Sequence, residues 1–156
     1  MKLSDGVEWT LHCMCVLALL PEGETLPAGR LAEFHGVPGA YLAKHLQALS
    51  RAGVIESTQG KRGGYRLARP AEQISLWDVV AAVDGEDPAF RCTEIRRTGT
   101  LGGLPAKEYR AACTIARAML SAELAWRREL EGRSLASLVG ELPPGFTTAV
   151  SLAVST

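Results

Sequence analysis

Four cysteines, at positions 13, 15, 92 and 113, are the groups in this chain best suited to redox or metal chemistry. Cys92 and Cys113 flank a polar, glycine-rich stretch, where a thiolate can ligate a metal or exchange with a disulfide. Cys13 and Cys15 lie inside an apolar helical pattern, where a thiol usually serves as a small hydrophobe. The histidines are His12, His35 and His45. Glu8 and His12 stand four residues apart, so on a helix they share a face about one turn apart. A carboxylate and a neutral imidazole can both bind iron. On residue types alone the other readings stay open: Glu8 complementing the positive end of a helix dipole, His12 filling a core position. A cysteine nucleophile would need a histidine partner, but His35 and His45 fall in a nucleic-acid-reading pattern. With no phosphate loop or nucleophile elbow either, a non-enzymatic protein is the expectation.

A second kind of chemistry is carried by charge. The 156 residues have no net charge, yet residues 27–70 hold seven basic side chains (Arg30, Lys44, Arg51, Lys61, Arg62, Arg66, Arg69) against Glu33 and Glu56. That local excess of five positive charges is offset by −3 before it and −2 after it. Such a stripe is the electrostatic footprint of a nucleic-acid contact.

The elements needed to present these groups follow from periodicity. Ser4 precedes a helical pattern with Val7, Leu11, Met14 and Ala18 as its apolar stripe, closed by Pro21. A short helix over 28–34 ends at Gly36. Pro38 starts a third helix, with Leu42, Leu46 and Leu49 buried and Gly53 as its stop. Residues 54–57 and 65–67 read as strands joined by a loop around Gly60, Lys61, Arg62, Gly63 and Gly64. Ser75 and Asp78 form the capping signature of a helix that ends at Gly85. A loop over 86–106 leads into a helix over 108–130, with Ile115, Met119, Ala122, Trp126 and Leu130 along one side.

Helix, turn, helix and basic ribbon is the order of a winged helix-turn-helix. The expected fold is therefore mainly α, with a small two-stranded wing and a long C-terminal helix available for dimerisation. Lys2, Arg30, Tyr41, Lys44, His45, Gln47 and Arg51 are the candidate DNA contacts, with Lys61 and Arg62 on the wing tip. On a helix in the major groove, Lys can donate to guanine and Gln can bond adenine. The domains expected are 1–85 for DNA binding, 86–107 as a loop carrying Cys92, 108–140 for dimerisation and 141–156 as a flexible tail after Pro143-Pro144-Gly145. No 18-residue apolar run is present and the apolar stretch near the N-terminus lacks a basic start, so a cytoplasmic protein without a membrane span is expected.

Several segments together resemble the Rrf2 family of bacterial transcription regulators. They are Met1 to Ser4, Tyr41 to Lys44, Leu49 to Ile55, the wing from Gly60 to Ala68, and the run from Asp78 to Gly85. The resemblance implies a homodimer on an operator of double-stranded DNA, a long C-terminal dimerisation helix and, in many members, a controlling iron–sulfur cluster. Common cluster-binding relatives carry three cysteines in a short loop, whereas here 20 residues separate Cys92 from Cys113. Phe90 to Arg96 and Cys113 to Met119 look similar instead to a redox-sensing actinobacterial type. That likeness implies a 2Fe–2S cluster held by Cys92 and Cys113 of one subunit and Glu8 and His12 of the other. Cys15, on the same stripe as Glu8 and His12, is a spare ligand candidate. Without a cofactor, Cys92 and Cys113 would instead form a reversible thiol switch.

Overall fold

The computed structural model describes residues 2–60 and 63–154. Helix α1 (Asp5–Ala18) runs through the middle of the larger of two compact units, residues 2–85 with 130–154. Asp5 and Glu8 in its first turn suit the helix dipole. Ser4 does not cap it with its side chain; its N–H and hydroxyl both donate to Asp84 instead. Val7, Cys13, Met14, Cys15, Val16 and Leu17 are buried, and buried Thr10 donates its hydroxyl to the Gly6 carbonyl at 2.7 Å. Leu11 and Ala18, expected on the buried stripe, are half-buried.

Helices α2 (Ala28–His35) and α3 (Gly39–Arg51) follow, joined by a turn in which Gly36 has φ 62°, a left-handed value that favours glycine. Leu42, Leu46 and Leu49 are fully buried, as their spacing predicts. Strands β1 (Ile55–Thr58) and β2 (Gly64–Leu67) pair antiparallel, Ile55 opposite Leu67 and Thr58 opposite Gly64. Tyr65 also exchanges backbone hydrogen bonds with Leu26, at 2.8 and 3.0 Å, which ties the wing to the segment entering α2. Gly64 is needed there: a Cβ would collide with the Leu26 carbonyl. Helix α4 (Leu76–Asp84) has the expected capping box, Asp78 N–H donating to Ser75 Oγ and Ser75 N–H to the Asp78 carboxylate. Mainly α with a two-stranded wing is thus the architecture observed.

Three expectations about the C-terminal part differ from the structure. The long helix, α5 (Thr114–Glu131), starts six residues later than periodicity suggests, and Glu108 lies in a 3-10 turn, Ala106–Tyr109. The Ala111 carbonyl accepts from Arg96 at 2.7 Å and so is drawn away from a helical ladder. The expected dimerisation region 108–140 is divided, since a separate helix, α6 (Leu135–Gly140), belongs to the larger unit. There Leu135 is fully buried and its N–H donates to the Ile74 carbonyl at 2.7 Å. Residues 141–156 were expected to be a loose tail, but 144–154 form α7 (Pro144–Val154), with Val150 only 2% exposed. Pro144 begins that helix, where its fixed φ and missing N–H cost nothing. Among the described residues, no helix is long and apolar enough to cross a membrane.

The smaller unit, residues 86–129, holds the Cys92–Cys113 segment and most of α5. Three 3-10 turns, Ile95–Arg97, Gly99–Gly103 and Ala106–Tyr109, give the expected loop a defined path. No residue of α5 is buried, and Ile115, Met119, Leu120 and Leu124 are exposed.

Candidate functional site

The nucleic-acid face is built by α3. Its buried leucines turn inward, which leaves Lys44, Gln47 and Arg51 exposed on the opposite face, with Tyr41 at its edge and 65% exposed. Lys2 is also exposed. Lys61 and Arg62 lie outside the described residues. Two further candidates are engaged elsewhere in the structure. The His45 ring packs half-buried against α1, 6.5 Å from the Trp9 ring and directly over Gly6. Arg30 donates to Glu33 at 3.1 Å and to the Ala153 carbonyl of α7 at 3.2 Å. Charge counting does not register the contacts with Gly6 and Ala153, which lie far along the chain, and Arg30 itself stays exposed.

On α1, Glu8 and His12 are both exposed, so the reading of His12 as a core histidine does not hold. Both line a groove of about 520 Å³ together with Leu3, Leu11, Leu138 and Leu142. Cys15 also lines it but is only 2% exposed, and burial pushes its thiol up to about 11. Cys13 is fully buried and raised to about 12 by burial, with Cys15 adding to it. Neither is poised as a thiolate. His35, in α2, falls by its sequence position in the DNA element. Its ring lies 5.4 Å from that of His12, its Nε2 is buried with no hydrogen-bond partner among the described residues, and burial followed by His12 lowers its basicity.

In the smaller unit the two remaining thiols lie side by side. Cys113 stands just before α5, at the end where the Ile115 and Ala116 backbone N–H groups face it, and Cys92 is near enough to act on its charge. The Ala116 contact leads the causes that hold its thiol below the ordinary value; Ile115, Cys92 and the Arg96 cation add to it, against some desolvation. Both cysteines are free thiols, Cys92 exposed and Cys113 half-exposed. A thiol at a helix N-terminus beside an arginine is biased toward the form that ligates metal and attacks disulfides.

The donors thus come as two pairs, a carboxylate with an imidazole on α1 and two thiols in the other unit. Among the described residues of one chain, no three such groups converge into a metal site. An iron–sulfur centre takes four protein bonds from thiolates or from thiolates with nitrogen and oxygen donors, so neither pair alone fits one.

Comparison with known proteins agrees with this architecture. The Rrf2 family, described as an iron-dependent transcriptional regulator, matches residues 3–141. YffB of Lactococcus lactis, which carries the name of an HTH-type transcriptional regulator, is 33% identical over 141 residues, 90% of this chain and 88% of YffB. The oxidised form of CymR from Staphylococcus aureus superposes with a TM-score of 0.65 and 25% identity, covering 92% of this chain and 99% of CymR. IscR of T. potens gives a TM-score of 0.66 at 18% identity, over 95% and 96% of the two chains.

Proposed function

We propose that this chain, which belongs to the Rrf2 family of transcriptional regulators, is a cytoplasmic, homodimeric DNA-binding redox sensor of the actinobacterial type. In this reading a 2Fe–2S cluster is held by Cys92 and Cys113 of one subunit and by Glu8 and His12 of the other. The observation that carries it is the split donor set: an adjacent thiol pair, one member biased toward thiolate, and an exposed carboxylate–imidazole pair one helical turn apart. A two-fold axis repeats every cross-subunit contact, so two such centres would form per dimer.

When bound, the cluster supplies a one-electron change of charge and a tether between the ligands. The protein's own part is to hold those ligands on elements that matter for DNA. Glu8 and His12 sit on α1, and α1 carries Gly6 and Trp9 against His45 of α3. A shift of α1 therefore bears on the helix that presents Lys44, Gln47 and Arg51. Paired recognition helices must match half-sites a helical turn apart, so a small displacement of α3 costs affinity.

The test is anaerobic purification with visible absorption and counts of iron and acid-labile sulfide, repeated for Glu8→Ala, His12→Ala, Cys92→Ala and Cys113→Ala. Each variant is expected to lose or destabilise the cluster. A cluster indifferent to His12→Ala would remove the cross-subunit ligation. A second reading rests on the same thiol contact: Cys92 and Cys113 join in a reversible disulfide, in keeping with the oxidised form in which the staphylococcal neighbour was solved. Protein that binds operator yet carries neither iron nor sulfide after anaerobic purification, and whose affinity follows the thiol–disulfide state, would favour that switch.

A further inference from the structure

Cys92 and Cys113 are separated by 20 residues, and a flexible segment of that length does not by itself keep its ends in contact. Yet Cys92 and Cys113 act on each other, and both act on the Arg96 guanidinium between the arms of the loop. What closes the segment lies inside it. Arg96 donates through Nε and Nη2 to the Glu94 carboxylate at 2.8 and 3.3 Å, and through Nη2 to the Ala111 carbonyl at 2.7 Å. Glu94 stands two residues after Cys92 and Ala111 two residues before Cys113. One guanidinium therefore joins the two arms of the loop at symmetric points, immediately inside the cysteines.

Neighbouring contacts support the same closure. Arg97 pairs with Glu94 at 3.4 Å and donates to the Tyr109 carbonyl at 3.3 Å. The Arg96 and Arg97 guanidinium carbons lie 5.8 and 5.4 Å from the centre of the Tyr109 ring. Gly102 passes so close to the Arg97 carbonyl that a Cβ would lie 2.5 Å from that oxygen. Glu94 has φ 54°, the single left-handed non-glycine residue among those described. Such a conformation persists only where surrounding contacts over-determine it, and here two arginines hold the side chain.

We propose that Arg96 is the positioning residue of the thiol pair, clamping Glu94 to the Ala111 carbonyl so that Cys92 and Cys113 meet. This rests on the reading of the two cysteines as the reactive pair and applies to either version of it, cluster or disulfide. Lysine could supply the charge but not the fork, because an ammonium is a point donor where the guanidinium reaches two acceptors in fixed directions.

The experiment uses the full-length, metal-free protein equilibrated with defined ratios of glutathione and glutathione disulfide. The two thiols give up two electrons and two protons to one glutathione disulfide, forming one Cys92–Cys113 bond and releasing two glutathione thiols. The disulfide fraction, read by mass spectrometry after acid trapping, reports the effective concentration of one thiol at the other. Arg96→Ala is expected to move this equilibrium roughly tenfold toward the dithiol, a change of about 30 mV for the two-electron couple. Arg96→Lys should fall short of wild type, and Glu94→Gln should shift the balance in the same direction as Arg96→Ala. Operator binding by the reduced variants establishes that they are folded. A wild-type ratio in Arg96→Ala, or in Glu94→Gln if the first variant does not fold, overturns the proposal, as does full restoration by lysine. Absence of iron and sulfide in the wild type would sink the cluster reading but leave this comparison standing.

Discussion

Gly6 of α1 and His45 of α3 approach so closely that a Cβ on Gly6 would lie 2.5 Å from two atoms of the His45 ring. The first helix and the recognition helix are therefore in register through a residue with no side chain. Gly6→Ala should gain helix propensity, up to ~1 kcal/mol for an interior position and less so near the N-terminus. It must also drive the His45 ring aside, an overpacking cost of about 1–3 kcal/mol. The substitution is expected to be neutral to destabilising in the wild type and stabilising in a His45→Ala background. Urea unfolding of the four proteins in a double-mutant cycle measures that coupling, and additive effects would show that the two helices are not locked at this point.

Arg69, at the end of the wing, meets Asp78 of the α4 capping box at 3.0 Å and also donates to the Gly53 and Gln73 carbonyls. Burial works against the Asp78 charge, but the Ser75 N–H and hydroxyl and the Arg69 cation outweigh it and hold the carboxyl below its ordinary value of 3.8. Because the folded value is the lower one, the unfolded chain binds the proton first as pH falls. The contribution is fully present above about pH 4 and is lost as pH drops through the folded value. Asp78→Asn should therefore lower stability at neutral pH and show a shallower decline below pH 4. Unfolding midpoints measured from pH 7 to pH 2.5 check this, and parallel curves for the two proteins would contradict it.

The residues that sequence reasoning located well are those whose role is local. Ser75 and Asp78 cap one helix within four residues, and Leu42, Leu46 and Leu49 bury one stripe of another, so spacing was enough. Charge and turn glycines likewise placed the wing. What escaped depends on partners distant in the chain. His45 counts as polar surface until Gly6 is brought against it, and Arg30, still exposed, gains the Ala153 carbonyl. Ser4 looks like a helix cap until Asp84, 80 residues away, takes its hydrogen bonds. The spacing of Glu8 and His12 was legible and so was the loop position of Cys92 and Cys113. Their mutual approach was not, because it is set by Arg96 bridging across the loop.

The C-terminal helix illustrates the same point and yields a further prediction. Pro143-Pro144-Gly145 reads as a break, yet proline is well suited to the first turn of a helix, and α7 follows with Val150 buried. Val150→Ala should cost about 1–2 kcal/mol from lost burial, and Val150→Asp considerably more. Removing residues 144–156 should destabilise the larger unit by more than Val150→Ala alone, and should release Arg30 from the Ala153 carbonyl. Thermal unfolding followed by far-UV circular dichroism measures both. A truncated protein as stable as the full chain would mean that α7 contributes no net packing.

Ile115 and Met119 of α5 lie on one side of the helix with Trp126 and Leu130, and Leu120 and Leu124 lie on another. Four of these six side chains are exposed, Ile115 by 63%, Met119 by 43%, Leu120 by 53% and Leu124 by 47%, while Trp126 and Leu130 are half-buried. An 18-residue helix without a buried residue has no reason to carry so much apolar surface unless something covers it. A second copy of the chain is the occupant the proposed regulator requires. Met119→Asp and Leu124→Asp both change exposed positions of the smaller unit and should convert a dimer to a monomer in sedimentation velocity. With the two recognition helices no longer joined, operator affinity should fall by about a hundredfold or more, since the second half-site loses its effective concentration. Circular dichroism should stay near wild type, because neither side chain is buried in the single chain. Variants that remain dimeric and bind operator normally would show that this helix is not the dimer contact.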